Sequence, residues 1–252
     1  MMVSSLSCSR IWSFDSVTST MDVARELSQR VAVGTVGLVT ARTQTAGRGR
    51  QGRVWTSAEG AFFGTYIIRL SRIQRSEEFT RSYYSQLSGY SLVVGIALHR
   101  FLETKGIRAA LKWPNDLLTA DGRKIAGVLI EVIPDGDRLV VLCGIGCNLM
   151  NAPKTVPGSA GIVELGNSLS SDEVANEFTP QFLYITDHFL RDGFAPFQNE
   201  WVARAFQYSD DIAIKSGNFE VKGRWKGVNE RGELQLVMAD GSIQTISSGE
   251  IG

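Results

Sequence analysis

Three stretches of this 252-residue chain carry side chains whose types and spacing could do chemistry on an anion. The first, Gly47-Arg48-Gly49-Arg50-Gln51-Gly52-Arg53-Val54-Trp55, sets three arginines among three glycines. Guanidinium forks match the oxygens of phosphate and carboxylate. One reading is a loop, mobile when empty, that closes over an anionic ligand; the other is a solvated basic hairpin. Trp55, a large apolar surface that wants burial, favours the first. The run also matches GxGxxG and, with Val54, the glycine loop of kinases. A dinucleotide fold needs a helix after the third glycine, yet here the branched and aromatic residues from Phe62 to Ile68 follow. The strand lysine, His-Arg-Asp loop and Asp-Phe-Gly site of a kinase are missing as well.

The second stretch is Lys112-Trp113-Pro114-Asn115-Asp116, followed by Lys124-Ile125-Ala126-Gly127. Pro and Asn form a turn after a strand, so Lys112 and Asp116 flank a tight reversal. A strand-end salt bridge would account for either lysine alone. Two lysines and a carboxylate around one short hairpin point to an anion or metal-phosphate site. The third stretch, Gly144-Ile145-Gly146-Cys147-Asn148, puts two glycines in a strand, which marks either close approach of a ligand or a bulge.

These stretches need elements to hold them. Ser19 and Thr20 precede Val23, Ala24, Leu27 and Val31, the stripe of a capped helix running to about Gln29. Gly37 to Arg42 and Ala61 to Leu70 read as strands on either side of the arginine loop. Leu87, Tyr90, Val94, Leu98 and Phe101 predict a long helix ending near Gly106. From Ala109 the pattern is an antiparallel meander with turns at Pro114-Asn115, Asp121-Gly122 and Pro134 to Asp137, and a loop spans Asn151 to Gly161. Ser170 and Glu173 have capping-box spacing ahead of Val174, Phe178, Ile185 and Phe189, with Pro180 expected to interrupt. Another helix holds Phe197, Trp201 and Ala205, with Pro196 near its start. Beyond Tyr208, short alternating strands joined at Gly217-Asn218, Arg231-Gly232 and Asp240-Gly241 predict a small β-barrel. The organisation is α+β, residues 1–207 forming a catalytic body and 208–252 a small all-β domain.

Composition narrows the classes. With 26 basic and 26 acidic residues the net charge is zero, which argues against a general nucleic-acid binder. Cys8, Cys143 and Cys147 are an odd number without nearby histidine, so neither a disulfide framework nor a metal site is expected, and the two later ones read as small buried hydrophobes. The first dozen residues lack the basic and apolar regions of a signal peptide. The longest apolar stretch, Leu139 to Met150, is too short to span a bilayer. A soluble cytoplasmic protein, bound to neither DNA nor membrane, is the expectation.

In their order and separations, GRGRQGRVW, KWPNDLL, KIAGVLIE and GIGCNL resemble the biotin protein ligases, the biotin--acetyl-CoA-carboxylase ligases. The resemblance runs from Ser19 to the closing Ser-Gly-Glu-Ile. It implies a mixed, largely antiparallel sheet with flanking helices and a C-terminal SH3-like barrel. It also implies a monofunctional type without the N-terminal DNA-binding domain of the two-function members, so repressor activity is not expected. The implied activity is ATP-dependent: biotin becomes biotinyl-5′-AMP and is then passed to a lysine of a biotin carboxyl carrier protein, with Mg²⁺ on the phosphates.

By the same resemblance Ser19, Thr20 and Met21 border biotin, Gln44 contacts it, and Gly47, Arg48, Gly49 and Arg50 belong to the loop that closes over it. Lys124 meets the carboxyl and phosphate region, with Gly127 and Gly144 beside the ligand. Arg53, Trp55, Lys112, Asn115 and Asp116 belong to the ATP and intermediate site, and Asn148 supports the pocket. The catalytic set is Arg48, Lys112, Asp116 and Lys124, and no residue is assigned as a metal ligand. Where this chain has Met21, the family usually has Asn. The resemblance suggests a homodimer. Competing readings are a lipoate protein ligase, a biotin or nucleotide sensor without turnover and, more distantly, a kinase; pyrophosphate release with biotin rather than lipoate separates them.

Overall fold

Branched and aromatic runs alternate with apolar stripes of helical period along this chain, and a computed structural model arranges them as two sheets with helices on both faces of the larger one. The structure describes residues 5–56, 59–70, 87–136, 138–153, 155–208, 211–216 and 219–251. The larger sheet holds β1 (Cys8–Val17), β2 (Val36–Gln44), β3 (Phe62–Leu70), β4 (Ala110–Lys112), β5 (Asp116–Leu118), β6 (Lys124–Asp135) and β7 (Arg138–Cys147). Their order is β1-β2-β3-β7-β6-β5-β4. Only β1 and β2 run parallel; the other pairs are antiparallel, and β4 to β7 form the expected meander. The parallel pair is joined by α1 (Thr20–Leu27), because strands running the same way need a crossover. Strand β1 escapes sequence reasoning: it is an edge strand, largely exposed, whose Ser, Arg and Asp residues hide any alternation. Pro134 lies inside β6 rather than in the turn, and Asp137 lies outside the described residues.

The two faces of this sheet bury different things. On one face Cys143, Ile145 and Cys147 of β7, with Phe62, Tyr66 and Ile68 of β3, join the main core. That core also takes the apolar faces of α2 (Tyr90–Thr104), α3 (Thr179–Asp192) and α4 (Gln198–Ala203). On the other face Val140 and Leu142 of β7, Ile67 of β3 and Val39 of β2 pack with Met21, Ala24 and Val31 in a smaller core beneath α1. The cysteines behave as apolar fillers. Burial raises both thiols, Cys147 to about 12.

The capping box forms as expected, Glu173 N donating to Ser170 Oγ at 3.2 Å and Ser170 N to Glu173 Oε2 at 2.8 Å. A wider-wound turn, Val174–Phe178, then leads into α3, so Pro180 sits in the first turn of a helix where its missing N–H is harmless. Ala205 lies beyond α4 and bridges Leu111 instead.

The C-terminal strands are β8 (Ile212–Ser216), β9 (Phe219–Val228), β10 (Leu234–Val237), β11 (Ile243–Ile246) and β12 (Glu250–Ile251), in the order β11-β10-β9-β8-β12. This corrects the expected barrel. The sheet is open, since β12 offers two residues that pair only with β8, and no pairing between β11 and β12 occurs among the described residues. The Gly217-Asn218 turn lies outside the described residues. Ile212, Ile214, Leu234, Leu236 and Ile251 belong to the main core. Trp113 Nε1 donates to Gly232 O at 3.1 Å, tying the sheet to the body. Among the described residues no helix is long and apolar enough to cross a membrane, and no group of three or more His, Cys, Asp or Glu could hold a metal.

His99 of α2 locks two of these elements together. Its Nε2 donates to Ala109 O at 2.9 Å, and its Nδ1 accepts from Arg204 Nη1 at 2.8 Å. Burial first, and the Arg204 charge second, hold the imidazole below its ordinary 6.5. A base depressed in the fold binds its proton more readily in the unfolded chain, so the stability it contributes is complete above 6.5 and is lost as pH falls from there through the folded value. Between about pH 7.5 and about pH 5.5 we expect stability against urea to fall through this group. His99→Gln should flatten that slope; an unchanged slope would remove His99 from the account.

Candidate active site

The α1 face of β7 reads Val140, Leu142, Gly144, Gly146. The first two close the small core, and the glycines continue the same face as a bare floor. Their register partners on β6 are Leu129 and Gly127, and the pairing of β7 with β3 and β6 runs unbroken there. The bulge reading of the glycine pair therefore fails. Above the floor opens a cavity of about 320 Å³.

At the Gly144 level the cavity is polar along one edge and apolar beneath. Ser19 caps α1 by accepting from Met21 N at 3.3 Å. Thr65 Oγ1 donates to Thr20 Oγ1 at 2.9 Å, and Thr20 N donates to Gln44 Oε1 at 2.8 Å. With its oxygen so used, Gln44 presents its amide nitrogen as a donor. Met21 is 3% exposed and lies directly over Gly144, where an added Cβ would stand 2.7 Å from its Sδ.

Two residues along the strands, about 7 Å away, the floor carries Gly146 and Gly127, and the indole of Trp55 covers both. A Cβ on Gly146 would stand 2.5 Å from the ring and one on Gly127 3.0 Å. Lys124 Nζ lies 5.1 Å from the ring centroid and 2.7 Å from Asp116 Oδ1. Trp55 Nε1 is buried with no hydrogen-bond partner.

The arginine loop between β2 and β3 is a hairpin. Gly49 N donates to Arg53 O at 2.8 Å, Trp55 N to Gly47 O at 2.9 Å, and Arg53 N to Arg50 O at 3.2 Å. Gln51 and Gly52 take φ of 55° and 73°, the left-handed pair of a mirror-image two-residue turn. Each arginine is held by a different element. Arg48 pairs with Asp22 of α1 and lies 3.7 Å from Glu131 of β6. Arg50 Nη1 donates to Asn115 Oδ1 at 3.2 Å and to Gly249 O at 3.4 Å, and Arg53 pairs with Glu250 of β12. Burial lowers Arg50 from its ordinary value, against the pull of Asp116.

Of the residues singled out from sequence, Ser19, Thr20, Met21, Gln44, Arg48, Gly49, Arg50, Arg53 and Trp55 line this one cavity, together with Asn115, Asp116, Lys124, Gly127, Gly144 and Asn148. Two do not. Gly47 is needed beneath the hairpin, where a Cβ would meet Trp55 O at 2.6 Å. Lys112 sits opposite Asp116 across the β4–β5 hairpin, its amine lowered chiefly by burial and raised by that carboxylate, without lining the cavity. Asn148 is structural, Nδ2 donating to Ala160 O at 3.3 Å and so fixing the base of the 150–161 loop. Sequence reasoning missed the wall formed by Pro153, Val156, Pro157, Gly158 and Ser159, where Gly158 O accepts from Lys124 N at 2.7 Å. It also left Gly146 unassigned, although the alternation that places Gly144 on the floor places Gly146 there too.

Comparison with known proteins identifies the family. The model of the Biotin/lipoate A/B protein ligase family matches residues 13–148, and that of the Biotin protein ligase C terminal domain matches residues 212–251. A biotin--[acetyl-CoA-carboxylase] ligase of Paracoccus denitrificans is 33% identical, over 84% of this chain and 88% of its own. The bifunctional ligase/repressor BirA of Bacillus subtilis is 30% identical, over 94% of this chain and 72% of its own. A biotin protein ligase of Aquifex aeolicus, solved with biotin and ATP, superposes with a TM-score of 0.77 at 26% identity, covering 97% of this chain and 98% of that one.

The packing of Trp55 on the glycine floor is open to test. Gly146→Ala should cost about 1–3 kcal/mol of stability by overpacking and drive the indole outward. Acrylamide quenching of tryptophan fluorescence should then rise, and the rise should vanish in a Trp55→Phe background. Unaltered quenching would place the indole elsewhere.

Proposed function

The chain belongs to the Biotin/lipoate A/B protein ligase family, and from that premise we propose that it activates biotin with ATP as biotinyl-5′-AMP and transfers the biotinyl group to a lysine of a biotin carboxyl carrier protein. One observation carries this reading: three kinds of chemistry line one cavity. Ser19, Thr20 and Gln44 offer hydrogen-bonding groups, Met21, Val128 and Leu129 an apolar surface, and Arg48, Arg50, Arg53 and Lys124 positive charge. Biotin presents a polar ureido head, an apolar chain and an anionic tail, one for each. The match of residues 212–251 to a biotin ligase C-terminal domain favours biotin over lipoate.

In the first step the carboxylate of biotin attacks the α-phosphorus of ATP and pyrophosphate leaves. Both reactants are anions, and at about 4 Å two unit charges repel by about 4 kcal/mol at an effective dielectric of about 20. Arg48, Arg50 and Lys124 supply the opposing charge, with Lys112 behind the hairpin adding to the field. In the second step the acceptor amine attacks the acyl phosphate and AMP leaves. No protein nucleophile is needed, because ATP itself activates the acid. The hairpin and Trp55 cover the intermediate and keep water from the mixed anhydride.

Mg²⁺ suits a site of this kind, since it binds through one or two carboxylates and the phosphates of its nucleotide. Asp116, the one carboxylate among the lining residues, would hold it. When bound it would neutralise phosphate charge. We assign residues 1–207 to the catalytic body and 208–252 to the C-terminal unit, and read the protein as a cytoplasmic homodimer with no DNA or membrane partner, in keeping with its zero net charge.

Incubation with biotin and ATP should release pyrophosphate; none from folded protein would sink the reading, and release with lipoate but not biotin would redirect it. Lys124→Ala should lower that release by about a hundredfold or more with the fold intact by circular dichroism. Arg48→Gly removes the ties to Asp22 and Glu131, so the intermediate should escape and label bystander lysines. Full retention of biotinyl-AMP would count against a covering hairpin.

A further inference from the structure

The wall of the cavity is held by polar ties and not by burial. Among its described residues from Asn151 to Ser159 none is buried, and Val156 is 39% exposed. Its middle is fastened to β6, Gly158 O accepting from Lys124 N at 2.7 Å and Lys124 O accepting from Ala160 N at 2.9 Å. The residue whose ammonium lines the cavity thus anchors the wall through its backbone. Where the wall sits and where that ammonium sits are one geometry.

A single carboxylate fastens the ends. Glu164 lies in the short turn Ile162–Leu165, just past the wall, and does not line the cavity. Its Oε1 accepts from Gly161 N at 2.8 Å, and its Oε2 accepts from Arg123 Nη1 at 2.6 Å. Hydrogen bonds from Gly161 first and Arg123 next hold the carboxyl below its ordinary value, and the N–H of Ala152, at the other end of the wall, acts in the same sense. Arg123 immediately precedes Lys124; its Nε donates to Asp121 Oδ2 at 2.8 Å and its N to Thr119 Oγ1 at 2.9 Å. The guanidinium therefore spans the turn that enters β6 and the carboxylate that closes the wall. An exposed ion pair is worth little for stability by itself. A capping turn needs only the bond to Gly161 N, and the second oxygen, on Arg123, ties that cap to the strand carrying Lys124.

We propose that Glu164 is a positioning residue of the reaction, its carboxylate setting the wall against the Lys124 strand so that both meet the ligand at one fixed spacing. The proposal rests on the function given above and extends it to Glu164 and Arg123, neither of which lines the cavity. In that function Lys124 answers phosphate charge, so a shifted wall is felt by the nucleotide. Biotin alone still finds the hydrogen-bonding groups of Ser19, Thr20 and Gln44.

The test uses the full chain with Glu164→Ala, Glu164→Gln and Arg123→Ala, and follows thermal unfolding, biotin binding without nucleotide, and pyrophosphate release against ATP concentration. Glu164→Ala should raise the KM for ATP about tenfold, the worth of a hydrogen bond to a charged group, and leave biotin binding nearly unchanged. Glu164→Gln keeps an acceptor for Gly161 N, so its KM should fall between that of Glu164→Ala and the wild type. Arg123→Ala should raise the same KM, and joining it to Glu164→Ala should add little, because the two remove one link. A merely structural role would lower kcat with the folded fraction and leave KM where it was. The proposal is overturned by an unchanged KM for ATP, by a loss of biotin affinity as large as the change in KM, or by effects of Glu164→Ala and Arg123→Ala that add in full. If Glu164→Ala does not fold, Glu164→Gln decides: a raised KM supports the proposal and an unaltered one overturns it. If the wild-type chain itself binds no biotin and releases no pyrophosphate, the functional reading fails first, which is a separate result.

Discussion

Four cations share one small cleft, and the rest of the structure is arranged around the need to hold them together before a ligand arrives. Arg48, Arg50, Arg53 and Lys124 all line the same cavity, where their mutual repulsion would spread them apart. Each is held by an oxygen from a different part of the chain. Asp22 comes from α1, Glu131 from β6, Asn115 and Asp116 from the β4–β5 hairpin, and Gly249 and Glu250 from the C-terminal sheet. The site is therefore neutralised internally, by contacts that a carboxylate or phosphate can displace. An anion entering here exchanges one set of oxygens for another, and the guanidinium forks arrive already gathered. A chain with zero net charge can still gather cations in this way, because the acids that balance them are paired partners an anion can displace.

The floor itself depends on what glycine leaves out. Along β7 the α1-facing positions are Val140, Leu142, Gly144 and Gly146, and the change from branched side chains to none is the change from core to cavity. Any side chain at the last two positions would collide, with Met21 in one case and Trp55 in the other. The opposite face of the same strand keeps Cys143, Ile145 and Cys147 in the main core, so the strand remains anchored although half of one face is bare. The site can thus be open without the sheet being weak.

Much of this was legible because it is local. The meander and the capping box at Ser170 and Glu173 follow from turn residues and spacing, whereas the convergence of the three motif stretches was implied by the family resemblance. What escaped was set by partners distant in sequence. Strand β1 has polar residues suited to an edge, and only its pairing with β2 defines it. The wall at Val156, Pro157, Gly158 and Ser159 is held by backbone contacts of Lys124 with Gly158 and Ala160 that no periodicity announces. Lys112 was read into the cavity because it brackets the hairpin with Asp116; the pairing is present, but the register leaves it behind Asp116. The barrel failed to close because alternation identifies strands without saying whether the first and last will meet.

The open C-terminal sheet bears on why this second unit belongs to the site at all. Its shortest strand, β12, pairs with β8 over two residues, too few to seal an edge by themselves. Yet at this strand Glu250 reaches Arg53, and the preceding Gly249 O accepts from Arg50. The loop that covers the cavity and the end of the chain therefore hold each other, and Trp113 Nε1 on Gly232 O fixes the same sheet to the lysine hairpin. Displacing β12 would release Arg53 and leave Arg50 on Asn115 alone. A closed barrel would satisfy its own edge internally and have less cause to lean on the loop; the open one couples its ordering to the covering of the cavity.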